Sequence, residues 1–427
     1  VADLTLAMHF ARAGMGYTGA WDQGACEITI DHLRRRSGEL HGEVVIASAI
    51  VARGKGHLHR ASFNLSSSTS RDRLAKMLVD RSRPQELPWD IMLEEFCTAV
   101  LNAERAGSPV VKVGQLAPRS EDFYLVDPLL PDGKPTIVYG AGGTGKSYLA
   151  DMLAVMVASG HQALGWRVRQ GAVLYLDWET DAYEIDERIK RIAAGMGIGA
   201  PPVLYRACTA PLEDMAEDVA RRVADEHVAL VVVDSVGMAS GTSRDGGDAN
   251  ESAIRLFGAI RYLGASVLAL DHITGEDVRS DKAVAKPYGS IYKVNLARSV
   301  WELRRSSEQD HSGDWHLGLY HRKVNRGGLH QAIGLRVRHL ENSVEFLREE
   351  IDDELSVAMT NGVRIERALR HGALSVAEIA EATGLADNVI RAVISKDKGR
   401  GRFVKVGDKW GRNVVAQPVA EDPRRVA

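Results

Sequence analysis

Four short runs in the middle of the chain are apolar throughout: residues 136–139, 172–176, 230–233 and 266–270. Each is rich in β-branched or aliphatic side chains, and segments with helical spacing separate them. Strands buried on both faces of a parallel sheet read this way, because helices cover the sheet on each side. A later run, 314–323, alternates instead and sets Trp315, Leu317, Leu319 and His321 on one side. The block 116–350 is therefore expected to be one α/β domain.

Different patterns flank it. Before residue 110, an alternating stretch (42–52), the turn-like Arg53-Gly54-Lys55-Gly56 and a second stretch (57–65) predict a β-hairpin. A helix with Leu74, Met77 and Leu78 on one face follows. A second helix carries Leu93, Phe96, Cys97, Val100 and Leu101, with Gly107 as its stop. This small α+β domain shows no acidic or Cys/His cluster that would suggest a primase, and an assembly or partner-binding role is expected. Beyond residue 355, segments 362–371, 376–383 and 388–395 read as three short helices. Segments 402–406 and 409–415 read as a two-stranded wing. Ser375 and Glu378 form a capping box, Gly384 ends the second helix and Asp387 is placed to cap the third. The order is that of a winged helix-turn-helix over 355–417.

Composition narrows the class. The chain has 427 residues, 45% of them hydrophobic and 26% charged, as in soluble globular proteins. No run reaches the ~20 apolar residues that span a bilayer, and no basic-then-apolar leader opens the chain, so a cytoplasmic protein is expected. Cys26, Cys97 and Cys208 are isolated and fit reduced buried thiols. The net charge of −3 hides an asymmetry, since residues 361–415 hold eleven Lys/Arg against six acids. That imbalance points to a nucleic-acid-facing module.

The chemistry is concentrated at strand ends. Gly140-Ala141-Gly142-Gly143-Thr144-Gly145-Lys146-Ser147, followed by Tyr148, satisfies GxxxxGK[ST] between a strand and a helix. Glycines there let backbone N–H groups wrap a phosphate at the positive end of a helix. Lys146 then reaches the β- and γ-phosphates of ATP, and Ser147 ligates Mg²⁺. Asp234 ends the run 230–233 and is the expected carboxylate partner of Mg²⁺. Glu179, in Tyr175-Leu-Asp-Trp-Glu179, follows the neighbouring strand, where a carboxylate can polarise the attacking water. Asp177 competes for that role, and either acid could cap the next helix. His272, after 266–271, is expected as a γ-phosphate sensor or as a hydrogen-bonded structural histidine. His311, His316, His321 and His330 share no metal-ligand spacing, and those on the alternating run 314–323 read as surface or packing residues. The polar segment 237–252 is expected to be mobile.

Between Leu125 and about Gly334 these motifs, with Ser266-Val-Leu-Ala-Leu-Asp-His272 and His321-Arg-Lys-Val-Asn-Arg-Gly327, resemble RepA-like hexameric replicative helicases of the RecA/DnaB superfamily. The resemblance implies a RecA-like P-loop core, a homo-oligomeric ring (a hexamer), and ATP at subunit interfaces. It also implies a basic finger reaching in from the neighbour. Lys323 matches the family's lysine, whereas Asn325 stands where relatives carry arginine, so the finger stays open between Lys323, Arg322 and Arg326. Segment 275–295 resembles the channel loop of such rings. There Arg279, Lys282, Lys286 and Lys293 would track DNA phosphates, and Tyr288 would stack on a base. On the third C-terminal helix Asn388, Arg391, Ser395 and Lys396 are expected outward, with Val389, Ile390, Val393 and Ile394 inward. Lys405, Lys409 and Arg412 on the wing would lie near phosphate. The expected activity is an ATP-driven helicase or single-strand translocase of a mobile element, acting on single- or double-stranded DNA. The alternatives are a DNA-binding ATPase without unwinding, such as a loader, recombination mediator or defence ATPase, or a KaiC-like regulatory ring.

Overall fold

The computed structural model of the chain describes residues 7–413 except 14, 22–25, 50–56, 84–86, 108–109, 111, 117–122, 242–247, 274–286, 288–289, 307–312 and 398–400. Two units emerge, residues 1–121 with 224–226 and residues 122–223 with 227–427.

The first unit is an antiparallel meander of β1 (His9–Ala13), β2 (Gly16–Trp21), β3 (Cys26–Arg36), β4 (Glu39–Ser48) and β5 (His57–Asn64), in that order. Helices α1 (Ser68–Ser82) and α2 (Trp89–Ala106) share its core, where Trp21, Ile28, Ile30, Val44 and Ile46 meet Leu78, Trp89 and Phe96. The β4–β5 hairpin and both helices match the expectation; the turn residues 53–56 lie outside the described residues. Strands β1 to β3 were not expected. Their outward positions are polar or small, and β3 breaks its register between Asp31 and Arg34, where His32 adopts φ 53°. An interrupted period is a weak sequence signal.

The second unit is built on a nine-stranded sheet. Its members in chain order are β8 (Pro135–Gly140), β10 (Ala172–Asp177), β11 (Leu204–Ala207), β12 (Val228–Asp234), β13 (Ser266–His272), β14 (Ser299–Arg305), β15 (Trp315–Val324), β16 (Ile333–His339) and β17 (Val344–Glu349). The spatial order is β11-β10-β12-β13-β8-β14-β15-β16-β17. Strands from β11 across to β14 run parallel, and β15 to β17 continue antiparallel. Short strands β6 (Tyr124–Asp127), β7 (Leu130–Pro131) and β9 (Arg167–Val168) form a small sheet beside it. All four apolar runs are central strands.

Helix α3 (Lys146–Ser159) has ten buried residues among its fourteen and ends at Gly160, φ 75°. It is apolar nearly all round because the core encloses it. α4 (Ala182–Gly195), α5 (Leu212–Asp225), α6 (Val236–Ala239) and α7 (Ala249–Tyr262) complete the layers. The segment expected to be mobile after Asp234 is therefore partly helical, and only 242–247 lie outside the described residues. The alternation expected along β15 is also overridden. Tyr320, on its supposed open side, is 2% exposed under Ile351, Leu355 and Ala358.

At the C-terminus, helices Asn361–Ala368, Val376–Thr383 and Asp387–Lys396 precede the antiparallel pair β18 (Phe403–Val406) and β19 (Lys409–Arg412). Ile365, Leu369, Ile379, Ile390 and Ile394 form their core with Phe403 and Trp410 against it. The Ser375–Glu378 capping box is present, and Gly384 closes its helix at φ 65°. Asp387 is the first helical residue rather than the cap, which is Ala386. Its carboxylate instead meets the positive end of the helix. No helix among the described residues is long and apolar enough to cross a membrane.

Candidate functional site

Parallel pairing brings the polar strand ends to one level. Asp177 stands opposite Asp234, Asp234 opposite Leu270, and His272 opposite Gly140. Ligands of open α/β sheets bind at these carboxyl ends. The loop Gly140–Ser147 lies between β8 and α3, and its glycines have distinct jobs. Gly145 holds φ 91° at the helix N-cap, a left-handed backbone that a side chain would strain. Gly140 passes so close to the Leu303 carbonyl that a β-carbon would collide.

Within this mouth Lys146 donates to the Gly140 and Ala141 carbonyls at 3.1 and 2.8 Å. Burial pulls its pKa down, and Asp234, Glu179 and Asp271 pull it back up. Ser147 Oγ donates to Asp234 Oδ2 at 2.8 Å, and Tyr175 Oη donates to the same oxygen at 3.1 Å. Burial raises the Asp234 pKa, while the Ser147 hydrogen bond lowers it and Glu179 adds repulsion. A hydroxyl and a carboxylate this close are hard oxygen donors, and the pair fits Mg²⁺ held with phosphate and water.

Asp177 and Glu179 differ in what each carboxylate touches. Asp177 is 1% exposed. It accepts from the Glu179 and Thr180 N–H groups at 3.0 and 3.2 Å and from Tyr205 Oη at 3.0 Å. It builds the turn. Helix α4 is capped by Asp181, which accepts from Tyr183 and Glu184 N–H. Glu179 is left 45% exposed, accepting from Ser235 Oγ and 3.7 Å from His272 Nε2. An accessible carboxylate beside a phosphate-type loop can accept a proton from water.

His272, 44% exposed, sits at the mouth beside Glu179. Tyr148 is half-buried, edge-on to Trp315 and His339 with ring centroids 5.2 Å away in each case. The three finger candidates separate clearly. Lys323 donates to the carbonyls of Val294, Asn295 and Ala297 at 2.7, 2.8 and 2.7 Å, capping helix Ile291–Leu296. Arg322 pairs with buried Glu302 at 2.6 Å and donates to the Ala358 carbonyl. Only Arg326 of the three is exposed, with its guanidinium 4.5 Å from the Phe123 ring centroid.

The loop cations fare differently. Arg279, Lys282, Lys286 and Tyr288 lie outside the described residues. Lys293 was expected on the channel loop, but it is 6% exposed and bound to Asp271 at 3.0 Å. An ion pair this buried is held by the core. In the C-terminal module Arg391, Lys396 and Lys405 are exposed, and Lys409 pairs with Glu378 at 3.1 Å. Among the described residues no His/Cys/Asp/Glu group forms a metal cluster, and all three cysteines are free and buried.

Sequence reasoning missed Tyr175, Ser235 and Arg305 at this mouth. Tyr175 and Ser235 flank quoted motifs, so proximity in sequence was an available signal. Arg305 had none, because it reaches the loop through the pairing of β14 with β8, two strands far apart in sequence.

Residues 100–277 match the family model described as AAA domain. No curated protein matches. Among solved structures, a KaiC-like protein from the hyperthermophilic archaeon Pyrococcus horikoshii OT3 aligns at 15% identity and TM-score 0.37, over 52% of this chain and 93% of that one. With the family match joined to the loop, sheet order and strand-end carboxylates above, the second unit contains a P-loop ATPase domain.

Proposed function

We propose that this ATPase is a ring-forming motor on DNA, a helicase or single-strand translocase of the replicative type. Hydrolysis is assigned to one mouth. The loop N–H groups and Lys146 bind the phosphates, and Ser147 and Asp234 would hold Mg²⁺, which would supply positive charge against the phosphates. Glu179 takes a proton from water as its oxygen bonds to the γ-phosphorus, while the bond to the β–γ bridging oxygen breaks and ADP leaves.

The observation that carries the ring is the place of the spare cations. Arg326 lines a cavity of about 160 Å³ with Phe123, Lys134 and Arg298. This cavity is at the start of β8 and β14, whereas the phosphate loop follows the end of β8. Six residues of strand separate the two ends by roughly 20 Å. Arg326 therefore cannot reach the nucleotide of its own subunit, and a head-to-tail neighbour supplies the geometry in which it can. The exposed Arg391, Lys396 and Lys405 favour a DNA partner for the C-terminal module, read as a winged helix. They suit equally a DNA-binding ATPase that does not unwind.

ATP turnover is expected to rise severalfold with single-stranded DNA, and an ATP analogue with DNA should shift native mass from protomer to ring. Fork unwinding separates motor from switch. Turnover indifferent to DNA, with no DNA affinity at low salt, would exclude both DNA readings and leave the KaiC-like regulatory ring.

A further inference from the structure

Beside the phosphate loop stands a cation that the hydrolysis scheme leaves unused. Arg304 and Arg305 end β14, and their side chains part company. Arg304 bonds to buried Glu302 at 2.6 Å. Arg305 instead lies over Trp315, guanidinium carbon 4.3 Å from the ring centroid, with Nη1 3.5 Å from the Gly143 carbonyl. Trp315 is itself pressed on the loop, since a β-carbon on Gly145 would stand 3.3 Å from its ring. His339 backs the indole at 4.3 Å. Burial draws the Arg305 pKa down, and no carboxylate among the described residues offsets it.

We propose that Arg305 is a nucleotide-contacting catalytic residue in cis, a second cation on the ATP phosphates carried on Trp315 as a shelf. Gly143, at φ 72°, belongs to the loop backbone that wraps a bound phosphate. A 3.5 Å contact to one carbonyl is a weak hold, and phosphate oxygens arriving at the loop are better acceptors for the same N–H groups. The aromatic shelf fixes the fork geometry and excludes water from one face, which strengthens the attraction. Because the contact lies within one chain, it operates in a single protomer, unlike a finger supplied by a neighbour. The assignment rests on ATP binding at this loop.

The test uses the full chain with a fluorescent ATP analogue and its ADP counterpart, at protein concentrations below and above assembly, together with steady-state turnover. Arg305→Met is expected to lower kcat at least tenfold and to weaken ATP more than ADP, equally at both concentrations. Arg305→Lys should recover part of the loss, and Trp315→Leu should weaken ATP in the same direction. Thermal melts check that each variant folds; if Arg305→Met does not, Arg305→Lys with wild-type kcat and ATP affinity overturns the proposal. So does Arg305→Met with wild-type kcat and ATP affinity, and a loss seen only above the assembly concentration overturns the assignment in cis. Wild-type protein without ATP affinity would overturn the reading of the loop itself, and the Arg305 assignment with it.

Discussion

His321 shows how a single ring is fixed by its neighbours. It stacks on Trp301 at 4.1 Å and 6°, its Nδ1 accepts from His330 N–H at 3.1 Å, and its Nε2 is 3.3 Å from Ser299 Oγ. An Nδ1 that accepts a backbone N–H must be unprotonated. Burial, and secondarily His330, push its pKa down to about 4. The folded protein therefore binds fewer protons than the unfolded chain once pH falls below the ordinary histidine value. The stabilisation is fully present above about pH 6.5 and is lost toward pH 4, by about 2 kcal/mol at pH 5. Urea melts at pH 7.5 and 5.0 should show that loss in the wild type and a smaller one in His321→Gln. An unchanged pH dependence in the variant would refute it. At this scale the sequence was readable where chemistry is local. The phosphate loop declares itself in eight consecutive residues. Asp177 and Glu179 could not be told apart, because only the folded turn decides which carboxylate receives the N–H groups. Lys293 and Lys323 read as loop and finger cations because a sequence shows charge and not burial.

At the scale of elements, α3 and α4 are joined by a charge that periodicity does not reveal. Asp151 lies one turn beyond Ser147 with its carboxylate fully enclosed, and Arg188 Nε on α4 meets it at 2.7 Å. Burial raises the Asp151 pKa to about 7, against the lowering pull of Arg188. The same guanidinium reaches Glu184 at 2.7 Å and lies 5.7 Å from the Tyr148 ring centroid. The helix carrying the phosphate loop is thus tied to the helix that follows Glu179. Removing one partner of a buried pair leaves the other uncompensated, whereas replacing both is far better tolerated. Arg188→Met should cost about 3 kcal/mol in denaturant melts, and adding Asp151→Leu should restore much of it. A silent Arg188→Met would contradict the role. The central strands were legible because full burial removes the polar alternation. Strands β16 and β17 were not expected, since their Arg336, Arg338 and Arg348 interrupt short apolar runs.

Across the whole molecule, the antiparallel strands after β14 carry function back to both ends of the sheet. They bring Trp315 against Arg305, which ends β14 beside the phosphate loop, and carry Arg326 to the opposite end. The family match stops at residue 277, before these strands begin. The domain type is therefore carried by the matched part, and the proposed ring by the part beyond it. Everything depends on whether the mouth between Lys146, Asp234 and Glu179 hydrolyses ATP. The most direct measurement compares ATP binding and turnover in the wild type, Lys146→Ala and Glu179→Gln. Lys146→Ala should lose both. Glu179→Gln should bind ATP within about threefold of wild type and turn it over at least a hundredfold more slowly, as loss of a general base demands. Full turnover in Glu179→Gln would contradict the account.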